Sequence, residues 1–205
     1  MDGRGEWVNQ MSEAVRQAQA WLREIGFRVE GQVIAVDGKL GPITRLATTY
    51  FQSGWTPTEL LPDGDPGPLT MTALEQCVAW EGRASAHFRF AEFASKGNGD
   101  IRVDRRLILG LEDVRDVSGG PITVISGYRD GLHNRKVGGA KNSQHLYGRA
   151  ADIQFGGSKL SLAAVKALQQ FSGIGYYPRR GNLVRHVDVR PGATATKPTT
   201  WTYGA

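Results

Sequence analysis

The segment Ser143-Gln-His-Leu-Tyr-Gly-Arg-Ala-Ala-Asp152 places a histidine seven residues before an aspartate. Gly148 lies between the two, and because glycine adopts backbone conformations that other residues avoid, it allows the chain to bend there. The run Ala150 to Phe155 is short and mostly apolar and is typical of a buried strand. The bend therefore allows His145, before the strand, and Asp152, on it, to approach one another.

A second group of polar residues lies on another predicted strand, His186-Val-Asp-Val-Arg190. Alternate residues of a strand face the same side, so His186, Asp188 and Arg190 are expected on one face. Two imidazoles and one carboxylate, with water in the fourth position, are the ligands of a hydrolytic zinc site, which acidifies the water and polarises the scissile carbonyl. Spacing alone leaves the alternative open that these are surface or core histidines that bind no metal.

The apolar pattern around these segments predicts helices packed on a small, mostly antiparallel sheet. We expect strands at 122–125, 150–155, 174–177 and 184–189, and helices at 101–114 and 160–171. This order of elements fits the α+β class better than a doubly wound parallel sheet.

The first 80 residues contain a repeat. Asp37-Gly-Lys-Leu-Gly-Pro-Ile-Thr and Asp63-Gly-Asp-Pro-Gly-Pro-Leu-Thr share the pattern D-G-x-x-G-P-x-T. Asp-Gly favours a tight turn, and the proline of each copy suits the first turn of a helix. Together with helical stretches at 11–25, 43–52 and 69–78, the repeat predicts an all-α bundle of about three helices.

The two halves of the chain differ in charge. The net charge is +5, but residues 1–80 carry 6 basic and 10 acidic side chains, whereas residues 81–205 carry 19 basic and 10 acidic ones. This break predicts two domains, at 1–80 and 85–205. The basic half favours a polyanionic partner, such as nucleic acid or an anionic cell envelope, and charge alone does not choose between them. Its basic residues are scattered and match no nucleic-acid motif.

Composition excludes several classes of protein. Of the 205 residues, 40% are hydrophobic and 22% charged, which is typical of a globular chain rather than a disordered one. No apolar run approaches the roughly 20 residues of a membrane span. The single cysteine, Cys77, excludes an internal disulfide framework and a multi-cysteine zinc site. The first residues, MDGRGEWVNQ, lack the apolar core of a signal peptide.

An ordered set of residues runs through the N-terminal half: Val15-Arg-Gln-Ala-Gln, Trp21-Leu, Gly26-Phe27, Val36-Asp37-Gly38, Gly41-Pro42, Thr44 and Phe51-Gln52. Over residues 8–78 it resembles the three-helix peptidoglycan-binding domain that is found beside many cell-wall hydrolases. The resemblance implies binding to the bacterial cell wall. A generic helical accessory bundle is the alternative.

A second series runs through the C-terminal half: Ser126-Gly-Tyr-Arg129, His133-Asn134, Val137-Gly-Gly-Ala140, Ser143-Gln-His145, Gly148-Arg-Ala-Ala-Asp152-Ile, Gly175-Tyr-Tyr-Pro178 and His186-Val-Asp188. Over residues 85–192 it closely resembles the zinc D-Ala-D-Ala carboxypeptidases and murein endopeptidases, the M15 peptidases and their LAS relatives. It is most similar to the branch whose last ligand motif is H-V-D.

The resemblance implies that His145, Asp152 and His186 bind zinc. It also implies that Arg129 faces the substrate or the developing oxyanion, for which a guanidinium is suited because it stays charged and donates in a fork. A structural ion pair is the alternative for this arginine. Substrate contacts are expected from Ser143, Gln144 and His133, although the first two could instead orient the ligand loop, and the last could cap its own loop.

One departure from the family pattern concerns the general base. Many members carry an acidic residue or a histidine two or three residues before the last ligand, where this chain has Val184 and Leu183. Neither side chain takes up a proton, and a base is needed to deprotonate the water and to protonate the leaving amine. Asp188 is the best candidate for this catalytic role, with the orientation of a zinc ligand as the alternative.

Together these observations predict a zinc-dependent peptidoglycan hydrolase, a carboxypeptidase or endopeptidase that cleaves an amide bond in the stem or cross-link peptides. The alternative from another class is a zinc-containing wall-binding protein that does not cleave. We expect a monomer that acts on the bacterial cell wall and binds neither nucleic acid nor a membrane, and whose residues 85–205 fold without residues 1–80. The N-terminal sequence favours a phage lysin, with a bacterial enzyme that has lost its leader as the alternative.

Overall fold

The structure is a computed structural model and describes residues 4–157 and 159–203, with side chains from Ser12 onward. Residues 1 and 205, the outer ends of the two predicted domains, lie outside the described residues. In this part of the chain, no helix combines the length and the apolar character that crossing a membrane requires.

The N-terminal half is a bundle of three helices with one small hairpin. The helices are α1 (Arg4–Ile25), α2 (Pro42–Gly54) and α3 (Pro68–Ala79), and the hairpin between α1 and α2 consists of β1 (Arg28–Val29) and β2 (Gln32–Val33). The prediction of three helices is confirmed. The hairpin was not predicted, because strands of two residues are too short to show a periodic pattern.

A buried glutamine of α1 holds the first copy of the repeat. The side-chain oxygen of Gln19 accepts the backbone N–H groups of Asp37 and Gly38, at 3.0 and 2.8 Å. Its amide nitrogen donates to the Asp37 carboxylate at 2.8 Å and to the Thr44 hydroxyl at 3.0 Å. Because one side chain bonds both the N–H groups of the turn and its carboxylate, the turn is fixed against the helix.

Gln52 of α2 makes equivalent contacts with the second copy, except that its side-chain oxygen accepts one backbone N–H group rather than two. It accepts the N–H of Gly64 at 2.9 Å and donates to the Asp63 carboxylate at 2.9 Å and the Thr70 hydroxyl at 3.1 Å. Gly64 has a φ of +76° and its counterpart Gly38 has a φ of +74°, a left-handed conformation that favours glycine. The repeated pattern is therefore first of all a determinant of the fold.

The C-terminal half is α+β, as predicted. Its elements are α4 (Arg105–Ser118), β3 (Ile122–Ser126), α5 (Gly131–Lys136), β4 (Ala150–Phe155), α6 (Leu162–Ala167), β5 (Gly173–Tyr177), β6 (Leu183–Asp188) and β7 (Thr199–Thr202), with 3-10 helices at Phe90–Phe93, Gln144–Tyr147 and Pro178–Arg180. The five strands form one sheet in the order β3-β4-β6-β5-β7. Only the pairing of β5 with β7 is parallel.

The two predicted helices of the C-terminal half differ from their observed bounds, and a cap explains where each begins. The helix predicted at 101–114 begins at Arg105, because the carboxylate of Asp104 accepts an N–H of its first turn, and it continues to Ser118, where Gly119 in a left-handed conformation ends it. The helix predicted at 160–171 is confined to Leu162–Ala167. Ser161 caps its start, and the chain leaves the helix before Gln169, whose φ is +53°.

The two halves share one hydrophobic core. The ring of Phe90, in the 3-10 helix Phe90–Phe93 of the C-terminal half, lies 5.2 Å from that of Phe27 and 5.4 Å from that of Phe51, measured between centroids. All three side chains are fully buried in a cluster that continues from α1 to β6. Separation of the halves would expose these rings to water, which costs free energy in proportion to their apolar area.

A polar contact joins the halves at the β1–β2 hairpin. The carboxylate of Asp100, in the C-terminal half, accepts the N–H groups of Glu30 and Gly31 in the hairpin turn, at 2.9 and 2.8 Å. Asp100 is buried, so its charge depends on these donors and on Asn98 for compensation. The shared core and this contact argue against independent folding of residues 85–205.

The glutamine contacts predict a large effect of Gln52→Ala on stability. The substitution removes the side-chain bonds to the turn and leaves the buried N–H of Gly64 without a partner, so the free energy of unfolding should fall by about 2–4 kcal/mol. Urea denaturation followed by circular dichroism measures the change. Gln32→Ala, at an exposed position of the hairpin, is the control and should cost less than about 0.5 kcal/mol; equal effects of the two substitutions would contradict the role of Gln52.

Candidate metal centre

The register of two strands brings the predicted zinc ligands together. In the antiparallel pair of β4 and β6, Asp152 lies directly opposite His186. His145 approaches from the 3-10 helix before β4. The Asp152 Oδ1 lies 2.9 Å from His186 Nδ1 and 3.3 Å from His145 Nε2, and the two ring nitrogens lie 3.3 Å apart.

This triangle fits a zinc ion. Bonds of about 2.0–2.1 Å in tetrahedral geometry place neighbouring ligand atoms about 3.3 Å apart, so the three atoms form one face of a tetrahedron with a fourth position open. Among the described residues, this is the one group of three or more His, Cys, Asp or Glu side chains with such an arrangement. The three residues that sequence predicts as ligands are therefore brought together by the fold.

Hydrogen bonds fix the tautomer of each histidine. The Nδ1 of His145 lies 2.6 Å from the carbonyl oxygen of Gly127, and because a carbonyl can only accept, Nδ1 carries the proton and Nε2 keeps its lone pair. The Nε2 of His186 lies 3.2 Å from the Asp188 carboxylate, which holds a proton on Nε2 and makes Nδ1, beside Asp152, the nitrogen that can coordinate. Such outer partners orient the rings of metal-binding histidines.

Gly148 makes the turn from the 3-10 helix into β4. Its φ is +67°, and a Cβ atom there would lie 2.4 Å from the carbonyl oxygen of Arg102. Any other residue would therefore require both a left-handed backbone and a displacement of the neighbouring chain. The predicted bend between His145 and Asp152 lies at this glycine.

Asp188 lies behind His186 and away from the open side of the site. Its side chain is fully buried and pairs with the Arg190 guanidinium, with Oδ1 accepting from Nε at 2.8 Å and Oδ2 from Nη2. It also bonds the ring nitrogen of His186 that is turned away from Asp152. Of the two roles considered for Asp188, this position favours orientation of a ligand over transfer of a proton in the cavity.

Arg129 lies beside the ligand that carries the negative charge. Its Nη2 donates to Oδ2 of Asp152, the oxygen that does not face the histidines, and its Nε donates to the Ser126 hydroxyl at 2.9 Å. The side chain is 15% exposed and reaches the cavity. Arg129 can therefore form the ion pair and also face the substrate, the two roles that were considered as alternatives.

The ionisation of the site follows from burial and from these pairs. Burial alone would raise the pKa of both carboxyl groups, but the neighbouring imidazoles hold that of Asp152 well below its ordinary value, and Arg190 and His186 lower that of Asp188 to about 2. Burial lowers the pKa of His145. Burial would also lower the pKa of His186, but Asp152 and Asp188 outweigh it and raise that pKa.

The ligands line a cavity of about 490 Å³. Ser143 and Gln144 line it, as expected for substrate contacts. The side-chain oxygen of Gln144 is buried and has no hydrogen-bond partner among the described residues, so it is available to a ligand. His133 does not line this cavity; it lies on α5, where its side chain is near Gly97. The expected substrate contact of His133 is therefore not found in this arrangement.

Sequence reasoning missed an aromatic wall of the cavity. Trp201 and Tyr203 line it, and the Trp201 ring lies 4.9 Å from that of His186 and 5.0 Å from the guanidinium carbon of Arg190. Both aromatic residues come from β7 and the position after it. The available signal was the alternation of aromatic residues in Trp201-Thr-Tyr203, which is short and follows a stretch rich in Gly, Thr and Pro.

Comparison with known families agrees with this geometry. A family model described as Peptidase M15 matches residues 86–188, half of the chain. The chain belongs to the peptidase M15 family. A second model, of a peptidoglycan binding domain, matches residues 11–74. Both resemblances seen in the sequence are thereby confirmed. The M15 assignment, the donor set of the three ligands and the similarity to a zinc carboxypeptidase confirm the prediction of a zinc cofactor.

The chain is also similar to the zinc D-Ala-D-Ala carboxypeptidase of Streptomyces albus G. The two are 34% identical over 173 residues, which cover 76% of this chain and 65% of that protein. This M15 chain thus spans less than two thirds of the length of that relative.

Metal binding should release protons. Without a metal, Asp152 and Asp188 raise the pKa of His186, so its ring holds its proton to a higher pH than an ordinary imidazole does. Coordination through Nδ1 displaces that proton, so the affinity for Zn²⁺ should increase as the pH rises. Calorimetric titration with Zn²⁺ at pH 7 in two buffers of different ionisation enthalpy measures this release. His133→Ala, outside the cavity, should show the same release, and an enthalpy that is independent of the buffer would refute the coupling.

Proposed function

We propose that this chain is a zinc-dependent peptidoglycan hydrolase that cleaves an amide bond in the peptides of the bacterial cell wall. The observation that carries the proposal is the triangle of ligand atoms of His145, Asp152 and His186, set at tetrahedral distances in a cavity beside Arg129. The peptidoglycan-binding match over residues 11–74 supports the cell wall as the substrate.

The similarity to a zinc D-Ala-D-Ala carboxypeptidase supports a more specific bond. We propose that the chain hydrolyses the amide between two D-alanine residues at the end of a stem peptide. Residues 1–80 then bind the wall, residues 85–205 carry the peptidase site, and the monomer acts on the wall outside the cytoplasm. Attachment to an insoluble substrate raises the effective concentration of the site near its bonds.

Five polar side chains of the cavity have a role in this reaction. His145, Asp152 and His186 hold the zinc ion, which when bound polarises a carbonyl oxygen and acidifies a water molecule. Arg129 donates to the developing oxyanion, because one edge of its guanidinium is fixed by Asp152 and Ser126 while the side chain still reaches the cavity. The unpartnered oxygen of Gln144 accepts an N–H of the peptide backbone.

Asp188 acts as a positioning residue in this proposal. Its carboxylate, held by Arg190, accepts the Nε2–H of His186 and keeps Nδ1 directed at the metal. A carboxylate behind a metal-binding histidine also makes the ring a stronger ligand. The buried ion pair with Arg190 keeps this carboxylate charged while it is out of contact with water.

Analysis of digestion products tests the reaction. Purified peptidoglycan and soluble peptides that end in D-Ala-D-Ala are incubated with the zinc-loaded protein, and mass spectrometry identifies the products. We expect loss of one terminal alanine, and no product with Asp152→Ala or after chelation of zinc, because two ligands alone hold zinc weakly. Absence of any product from several wall types at saturating zinc would instead favour a wall-binding protein without catalytic activity.

Two substitutions separate positioning from catalysis. Asp188→Asn should weaken zinc binding by about 10- to 100-fold and recover most activity at high zinc. Arg129→Lys should leave zinc binding within a few-fold but lower kcat by about 100- to 1000-fold, since the fork of donors is lost. Zinc titrations and kcat measured at saturating zinc distinguish them. Severe loss of kcat in zinc-saturated Asp188→Asn would return the role of general base to Asp188.

A further inference from the structure

A second cavity, of about 460 Å³, lies between the two halves of the chain. One wall is formed by α2 and the segment after it, including Tyr50, and the other by residues 102–106 and by Tyr147 and Arg149. It shares no lining residue with the cavity of the metal centre. We call it the arginine cleft, because its lining includes Arg102, Arg105, Arg106 and Arg149.

Two of these arginines are neutralised within the protein. Arg106 pairs with Asp104 through two of its nitrogens, and Arg105 pairs with Glu59 at 3.6 Å and donates to the carbonyl oxygen of Trp55 at 3.3 Å. Asp104 and Glu59 are the two acidic residues in the lining. The charges of Arg102 and Arg149 therefore have no counterpart within the cleft.

Arg102 and Arg149 are held over aromatic rings. The guanidinium carbon of Arg102 lies 5.3 Å from the centroid of Tyr50, and that of Arg149 lies 5.6 Å from the centroid of Tyr147. Within the described part of the chain, neither side chain has a hydrogen-bond or carboxylate partner, and both are partly exposed. Stacking fixes the plane of a guanidinium and leaves the N–H groups at its edges available, which suits the recognition of an anion with two oxygens.

We propose that the arginine cleft binds the carboxylates of a peptidoglycan strand, as a second contact with the wall that is separate from the bond to be cleaved. The identity of this polymer rests on the proposed function. A guanidinium fork matches a carboxylate in geometry, and stem peptides of peptidoglycan carry free carboxylates along each strand. The tyrosine rings beside the arginines offer flat apolar surface to the rest of the strand.

The cleft and the metal centre are linked through the backbone. Tyr147 belongs to the same 3-10 helix as His145, and the N–H of Asp104 donates to the carbonyl oxygen of Gly148 at 2.8 Å. The carbonyl oxygen of Arg149 accepts the N–H of Val189, next to β6, at 2.9 Å. A strand held in the cleft therefore lies close to the segment that carries the first ligand, and its peptides are retained near the site.

Sedimentation with insoluble peptidoglycan tests the cleft. The double variant Arg102→Gln/Arg149→Gln is compared with Arg23→Gln/Arg115→Gln, which removes two positive charges elsewhere on the chain. The peptidoglycan is first treated with hydrofluoric acid to remove phosphate polymers. We expect the first variant to bind about tenfold more weakly and the second within twofold of the parent. Both should hydrolyse a soluble D-Ala-D-Ala peptide within twofold of the parent rate.

Chemical modification of the wall identifies the group that is bound. Amidation of the peptidoglycan carboxyl groups should weaken binding of the parent by about the same tenfold and leave the cleft variant unaffected. A defect that is seen only on walls with phosphate polymers would overturn the proposal in favour of a phosphate ligand, and equal binding of the two double variants would overturn it altogether.

The test remains independent of catalysis and of stability. Sedimentation requires no turnover, so failure of the proposed hydrolysis leaves the binding result intact. Thermal unfolding verifies that each variant is folded, and Arg149→Gln alone, whose side chain lies over an exposed ring, replaces the double variant if the latter is unfolded. A loss of less than about twofold in that single variant would count against the cleft.

Discussion

The antiparallel register of β4 and β6 is the constraint on which the metal centre depends. It places Asp152 opposite His186, and the periodicity of β6 then places Asp188 two residues on, against the far nitrogen of the same ring. A shift of one residue would turn these side chains to the opposite face of the sheet. The next pair along the two strands, Ala151 and Val187, is apolar and fully buried on the opposite face, so the packing of the core resists such a shift.

Charged side chains of alternating sign form a row on either side of His186. The carboxylates of Asp152 and Asp188 flank His186, and the guanidinium groups of Arg129 and Arg190 close the series at both ends. Each charge has an opposite neighbour, which offsets the cost of removing it from water. The arrangement also directs Nδ1 of His186 at the Asp152 carboxylate, so the two ligand atoms are already side by side before a cation displaces the proton between them.

Local patterns allowed the sequence to predict much of this structure, and tertiary contacts account for the rest. The strand Ala150–Phe155 was predicted with its observed bounds, and the three ligands lie in motifs whose turns and periodicity are local. The aromatic wall was not predicted, because β7 is a short edge strand that exists through its pairing with β5. The position of Phe90 in the core of both halves depends on how the two halves pack together, and no local sequence pattern predicts that packing.

The two copies of the repeat differ in one respect that has a consequence for modularity. Between Gln52 and its turn the chain is short, whereas between Gln19 and its turn it is seven residues longer and forms the hairpin that binds Asp100. The glutamine contact tolerates either length, so the additional residues are not needed by the bundle itself. The longer loop of the first copy therefore forms the contact with the C-terminal half. Grafting this bundle onto another enzyme would require that loop to be redesigned, while the helices and turns stay unchanged.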